Sequence, residues 1–164
     1  MLSGEKIFAA ILFSAFLQGC ALNGISLDNA YSCSAPSMLA PKACESKMIA
    51  ADAFKQGDFG AAERNYRLAS DMFERDAPGS NDHVESLLGL AASYDSLSRF
   101  DLADPIYAQL GAMVPNSPQY LNNYGYSLLL RGDVTRARSY FEKARQLMPD
   151  NTIIQNNGLM AMGQ

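Results

Sequence analysis

The 164-residue chain has no tryptophan, one histidine and three cysteines. With His83 alone, and no cysteine in an activating context, no nucleophile–base pair can be assembled in a recognised pattern. Metal centres draw on several histidines and cysteines at short spacings, and these too are missing. No Gly-rich phosphate cradle occurs. Nor is there a basic surplus: thirteen Lys and Arg against seventeen Asp and Glu leave a net charge of −4, the wrong sign for displacing counterions from nucleic acid. No enzyme, cofactor, metal, small-molecule substrate or nucleic-acid partner is therefore expected. What is present, 48% hydrophobic and 18% charged residues, suffices for the core of one modest domain.

The charge is uneven. Residues 45–104 hold twelve acidic and six basic side chains, whereas residues 105–164 hold three acidic and five basic ones, Arg131, Arg136, Arg138, Lys143 and Arg145. The basic stretch reads either as a solvated helix face or as a docking patch for an acidic partner.

Residues 1–19 read as a processing segment. Lys6 precedes an apolar run from Ile7 to Leu17. As a helix that run would rise about 16 Å, roughly half the hydrocarbon thickness of a bilayer, which suits a signal-peptide core better than a span. It ends in Leu17-Gln18-Gly19-Cys20, which resembles the bacterial lipobox; Gln18 departs from the small or apolar residue usual there. The resemblance implies lipidation of Cys20, and Ala21 after it resembles the signal for outer-membrane delivery. The expected location is the outer membrane, lipid-anchored and facing the periplasm. Acyl chains contribute about 0.8 kcal/mol per buried methylene, so two or three make a stable anchor. Residues 20–43, interrupted by Asn23, Gly24, Asn29, Pro36 and Pro41, read as a tether. Cys33 and Cys44 either close a short loop as a disulfide in an oxidising compartment or remain two thiols.

The remaining residues, 44–164, repeat. Gly57-Asp58-Phe59, Ser98-Arg99-Phe100 and Gly132-Asp133-Val134 align, each followed by a small residue at Ala62, Ala103 or Ala137 and by an aromatic at Tyr66, Tyr107 or Phe141. Phe100 and Val134 are thirty-four residues apart, and Pro115 and Pro149 close their units. Upstream, Leu87, Leu90, Ala91 and Tyr94, then Leu121, Tyr124, Gly125 and Leu128, each form one apolar helical stripe. Small residues at the crossings let paired helices approach closely. Ser117-Pro118, and Asp150 or Asn151, supply helix starts. The fold class is all-α, and the pattern is similar to that of tetratricopeptide (TPR) repeats: three helical hairpins and a closing helix over 152–162. The first repeat is longer by seven residues, expected as a loop near residues 76–81, and Pro105 is expected to weaken or kink its helix. His83 is expected to face solvent, with Asp82 as a helix cap.

The TPR resemblance implies a concave face lined by the first helix of each hairpin. Carried onto this chain, the inward positions are Lys47, Ala51, Phe54 and Lys55; Glu85, Leu88, Ala92, Asp95 and Ser96; and Gln119, Asn122, Tyr126, Leu129 and Leu130. The lysine, arginine and asparagine clamp of chaperone-docking TPRs is missing, since Lys47 and Asn122 match it in type but stand alone. Phe54, Leu88, Tyr126, Leu129 and Leu130 suggest an apolar trough for a helix or extended peptide, although Leu129 and Leu130 read equally as core.

The segment Leu121-Asn122-Asn123-Tyr124-Gly125-Tyr126-Ser127, Arg131-Gly132-Asp133 and Pro149-Asp150-Asn151, with Gln155-Asn156-Asn157-Gly158-Leu159 after it, resembles the last repeat of the TadD family of Tad (Flp) pilus assembly lipoproteins. That resemblance spans roughly residues 82–160. It implies a protein-binding helper of an outer-membrane secretin or other pilus assembly components. Rival readings are a pilotin of type IV pili, an adaptor of cell-wall hydrolases, or a scaffold that associates with itself.

Overall fold

The computed structural model describes residues 33–34 and 40–163. The leader, Cys20 and most of the tether lie outside the described residues. The described chain is seven helices: α1 (Pro41–Lys55), α2 (Phe59–Asp76), α3 (Asn81–Ser96), α4 (Phe100–Met113), α5 (Pro118–Leu130), α6 (Val134–Leu147) and α7 (Thr152–Met162). No strand occurs among the described residues. Connections of three or four residues fold consecutive helices back on one another as hairpins α1–α2, α3–α4 and α5–α6, with α7 packed on α6. The first helices also meet in succession, α1 on α3, α3 on α5 and α5 on α7, so that they form one continuous layer. This is the expected all-α solenoid of three hairpins and a closing helix.

Helix ends follow local chemistry. Asp58 and Asp133 cap α2 and α6 through side-chain oxygens that accept from Ala61 N–H at 2.9 Å and Arg136 N–H at 3.2 Å. Ser117 accepts from Tyr120 N–H at 3.3 Å ahead of Pro118, and Asn151 accepts from both Ile153 and Ile154 N–H at 3.1 Å. Helix α1 begins at Pro41, three residues before the expected boundary at 44. Pro41 is a first-turn residue there, where the N–H it lacks would have no helical acceptor, and it does not belong to the tether.

The long first repeat is also arranged otherwise than expected. Helix α2 has 18 residues where α4 has 14, and α3 has 16 where α5 has 13. These differences absorb all seven extra residues. The inserted chain is therefore helix on both sides of an ordinary four-residue turn, 77–80, instead of a longer loop. Added helical turns satisfy their own backbone groups, which a long loop would not.

Small residues set the crossings. Ala62, Ala91, Ala103 and Ala137 are sealed from solvent. A Cβ on Gly125 would lie 2.9 Å from Phe141 and 3.1 Å from the Tyr140 Cβ, and one on Gly89 would lie 2.3 Å from the Tyr66 ring. Helix α4 continues from Phe100 to Met113 with Pro105 inside it. Ala103, Tyr107 and Leu110, all fully buried, hold it to its neighbours on both sides of the proline, so packing outweighs the one missing backbone bond. The aligned turns share a left-handed residue: Gly57 at φ 80°, Gly132 at φ 81°, and Ser98 at φ 57°. A serine in that region carries a steric cost that glycine avoids.

Candidate interaction surface

The layer of first helices carries most of the buried polar chemistry. Lys47 on α1 is 2% exposed and does not stand alone: its ammonium pairs with Asp82 and, at 2.8 Å, with Glu85, both on α3. Asp82 in turn accepts from the Ser34 N–H at 2.8 Å and its hydroxyl at 2.6 Å. The structure joins Cys33 to Cys44 as a disulfide with Cα atoms 6.0 Å apart. The bond ties Ser34 to α1 beside Lys47, so tether, first hairpin and second hairpin meet at one carboxylate. Taking two opposite charges out of water together costs far less than leaving either one buried alone.

Asp82 is accordingly not the cap of α3. Ser80 is, its hydroxyl accepting from His83 N–H at 3.2 Å. His83, expected in solvent, is buried. Its Nδ1 accepts from Gly79 N–H at 3.1 Å, while Nε2 has no hydrogen-bond partner among the described residues. Burial lowers the imidazole pKa, partly opposed by Glu74. With Ser80 as cap instead of Asp82, the helix turns Asp82 and His83 inward.

A second polar knot joins α3, α4 and α5. Asp95, 4% exposed, accepts from Tyr107 Oη and from Ser127 Oγ, each at 2.7 Å. Burial pushes its carboxyl from 3.8 up to about 6, against the two hydrogen bonds and the attraction of Arg131. Arg131 donates to Ser127 Oγ at 2.8 Å, pairs with Asp104 at 2.7 Å and lies over the Phe100 ring at 5.1 Å. It thereby pins the third hairpin to the second. Asn122 is also engaged, its Oδ1 accepting from the buried Asn157 Nδ2 of α7 at 2.9 Å.

Of the residues expected to line the trough, Phe54 and Leu88 belong to the main core, Phe54 stacking edge-on with Phe59 at 5.2 Å. Tyr126 is buried in the cluster of Leu128, Ala137, Phe141 and Ala161, and Leu129 and Leu130 lie half-buried against it. Both leucines thus contribute to core packing. Lys47, Leu88, Asn122 and Tyr126 all sit on the layer of first helices but are buried, Lys47 and Asn122 with their polar groups bonded to neighbouring helices. The sequence reading missed the Lys47–Asp82 and Asp95–Ser127 links, which join residues 35 and 32 apart. Two buried-position acids among apolar stripes were the only available signal.

Most of the basic side chains in the second half are likewise engaged. Arg136 pairs with Asp133 at 3.4 Å, Arg138 Nε donates to the Ala161 carbonyl at 2.7 Å and Arg145 pairs with Glu142 at 2.8 Å. Among the described residues no three His, Cys, Asp or Glu side chains gather as a cation site, and no helix is long and apolar enough to cross a membrane.

A tetratricopeptide repeat family model matches residues 118–151, the α5–α6 hairpin with the turn that follows it. Among solved structures, the chain is similar to the C-terminal TPR-containing domain of a protein described as a putative FK506-binding protein of Plasmodium falciparum. The TM-score is 0.63 at 20% identity, over 79% of this chain and 92% of that one. Among curated proteins, none matches. The fold is thus that of a TPR helical solenoid.

Proposed function

We propose that this TPR solenoid is a lipid-anchored envelope protein that binds other proteins along the layer formed by α1, α3, α5 and α7. The observation that carries the reading is that continuous layer, in which four successive first helices pack side by side. TPR hairpins serve widely as protein-interaction scaffolds, and the polar links Lys47–Asp82 and Asp95–Ser127 hold neighbouring hairpins in fixed register. A rigid surface loses little conformational entropy on binding, which favours affinity.

On this reading Cys20 carries the lipid and supplies location, while the repeats supply selectivity. The partner is a component of a Tad (Flp) pilus machine, in first place its secretin. The support is the lipobox-like Leu17-Gln18-Gly19-Cys20 and the resemblance of residues 121–159 to the TadD family.

Membrane fractions of a pilus-bearing host expressing the tagged chain or its Cys20→Ser variant would be labelled with palmitate, separated by density and subjected to affinity capture. The reading expects label in the outer membrane with the parent chain only, together with recovery of a secretin. Label with recovery of cell-wall hydrolases would move the chain to the adaptor reading. Equal distribution of parent and variant would remove the lipid anchor from the account.

A further inference from the structure

Cys33 and Cys44 are each half-buried, and their bond has two different sides. On one, both cysteines pack against Ala40, Ala43, Ala69 and Phe73 of the first hairpin and the residue before it. On the other, they line an open cleft of about 450 Å³ together with Pro41, Glu45, Met48 and Ile49. Pro41, Glu45 and Ile49 are exposed, so the sulfur pair is approached from solvent. Access of that kind is what thiol–disulfide exchange requires. A disulfide sealed inside a core is reached only by unfolding.

The bond also separates what depends on it from what does not. Downstream, α1 is fixed by the buried Ala43, Ala50 and Phe54, and by the Lys47 ammonium on Asp82 and Glu85. None of these contacts passes through a sulfur. Upstream, the Ser34 N–H and hydroxyl reach Asp82 on α3 at 2.8 and 2.6 Å, from a position that the disulfide fixes against α1. Closing the ring from Cys33 to Cys44, a sequence separation of 11, favours such a contact by roughly a hundredfold. Breaking the bond therefore acts on the junction of the tether and spares the hairpins.

We propose that Cys33–Cys44 is a thiol–disulfide exchange site for a dithiol reductant, and that its reduction frees the tether from the layer of first helices while the solenoid stays folded. One thiolate of the dithiol attacks a sulfur of the pair, and the other cysteine leaves as a thiolate. The second thiol of the reductant then closes its own disulfide and releases the first cysteine. Two electrons and two protons pass to the protein, and the dithiol ends as a disulfide. If Cys20 carries the lipid, which rests on the function proposed above, this release changes the reach of the anchor. The first fixed point moves from thirteen to twenty-one residues past Cys20, from at most about 45 Å to at most about 70 Å of extended chain.

The test uses the full chain carrying Cys20→Ser, so that Cys33 and Cys44 are the only cysteines counted and no lipid is involved. In mild detergent at neutral pH it is incubated with excess reduced thioredoxin, a protein dithiol. Thiols are counted by alkylation and mass, helicity is followed by circular dichroism, and Ser34 by amide exchange. Two thiols are expected to appear without urea, with helicity unchanged and Ser34 exchanging about a hundredfold faster. A variant with both Cys33→Ser and Cys44→Ser should show that fast exchange with or without thioredoxin. Thiols that appear only in urea would overturn the proposal. So would loss of helicity on reduction, or a Ser34 rate that does not move. Each of these failures would leave the lipid anchor standing, since palmitate labelling of the parent chain tests that separately.

Discussion

Replacing Asp95 by asparagine isolates the energetic cost of one buried carboxylate. Burial raises its pKa from 3.8 to about 6 in the folded chain. A raised folded value means that the native state holds its proton more tightly than the unfolded chain does. The stabilising contribution of that proton is complete below pH 3.8 and is lost as pH rises through about 6. At about 1.4 kcal/mol per unit, a shift of roughly two units corresponds to about 3 kcal/mol between the two ends of that window. An asparagine side chain at this position would keep the local bonds: its Oδ1 accepts from Ser127, and its Nδ2 donates to Tyr107 Oη, whose proton turns to the Asn123 carbonyl, 3.3 Å from that oxygen. Asp95→Asn is therefore expected to stabilise the chain at pH 7.5 by about 1–3 kcal/mol and to leave it nearly unchanged at pH 4. Urea unfolding followed by circular dichroism, parent and variant side by side at both pH values, cancels the titration of all other groups. A variant less stable than the parent at pH 7.5, or a difference that does not change with pH, would refute the reasoning.

Lys47→Ala should cost about 3–5 kcal/mol in the same assay, because Asp82 would be left buried without its cation; a loss below about 1 kcal/mol would show that pair to be solvated. Gly125→Ala should destabilise by about 1–2 kcal/mol despite the better helix former, since the new methyl meets Phe141 and Tyr140. Gly60→Ala, whose Cβ would find only ordinary contacts from 3.5 Å outward, should be neutral or stabilising by up to about 1 kcal/mol. Ser98→Gly should gain about 0.5–1 kcal/mol by relieving the left-handed serine, checked by the urea midpoint. Cys44→Ser should lower stability by about 2–3 kcal/mol and speed amide exchange at Ser34, which the disulfide holds against Asp82.

What was legible in the sequence was what local chemistry decides. The caps Ser117 and Asn151, the Gly57 and Gly132 turns and the alanines at the crossings all report on residues within one hairpin, and the span 152–162 of α7 follows from them. Three readings failed where two local solutions compete. Ser80 and Asp82 both offer a capping oxygen, and tertiary burial of Asp82 by Lys47 decides between them. Pro41 ends a tether or begins a helix with equal ease. Seven extra residues around Pro78-Gly79 fit a loop or longer flanking helices, and packing of α2 and α3 selects the helices. The state of Lys47, Asn122 and Asp95 was illegible for another reason: their partners lie on other helices, 32–35 residues away. A repeat pattern reports which way a side chain points and not what meets it there.

The central claim is that the layer of first helices is the protein-binding face. Photo-crosslinking in living cells tests it most directly, with a benzophenone amino acid placed at Ser96 or Gln119 on that layer, and at Arg64 on the exposed side of α2 as the control. The account expects one discrete adduct of higher mass from the Ser96 and Gln119 positions and none from Arg64. Adducts from Arg64 alone, or the same adducts from all three, would contradict it.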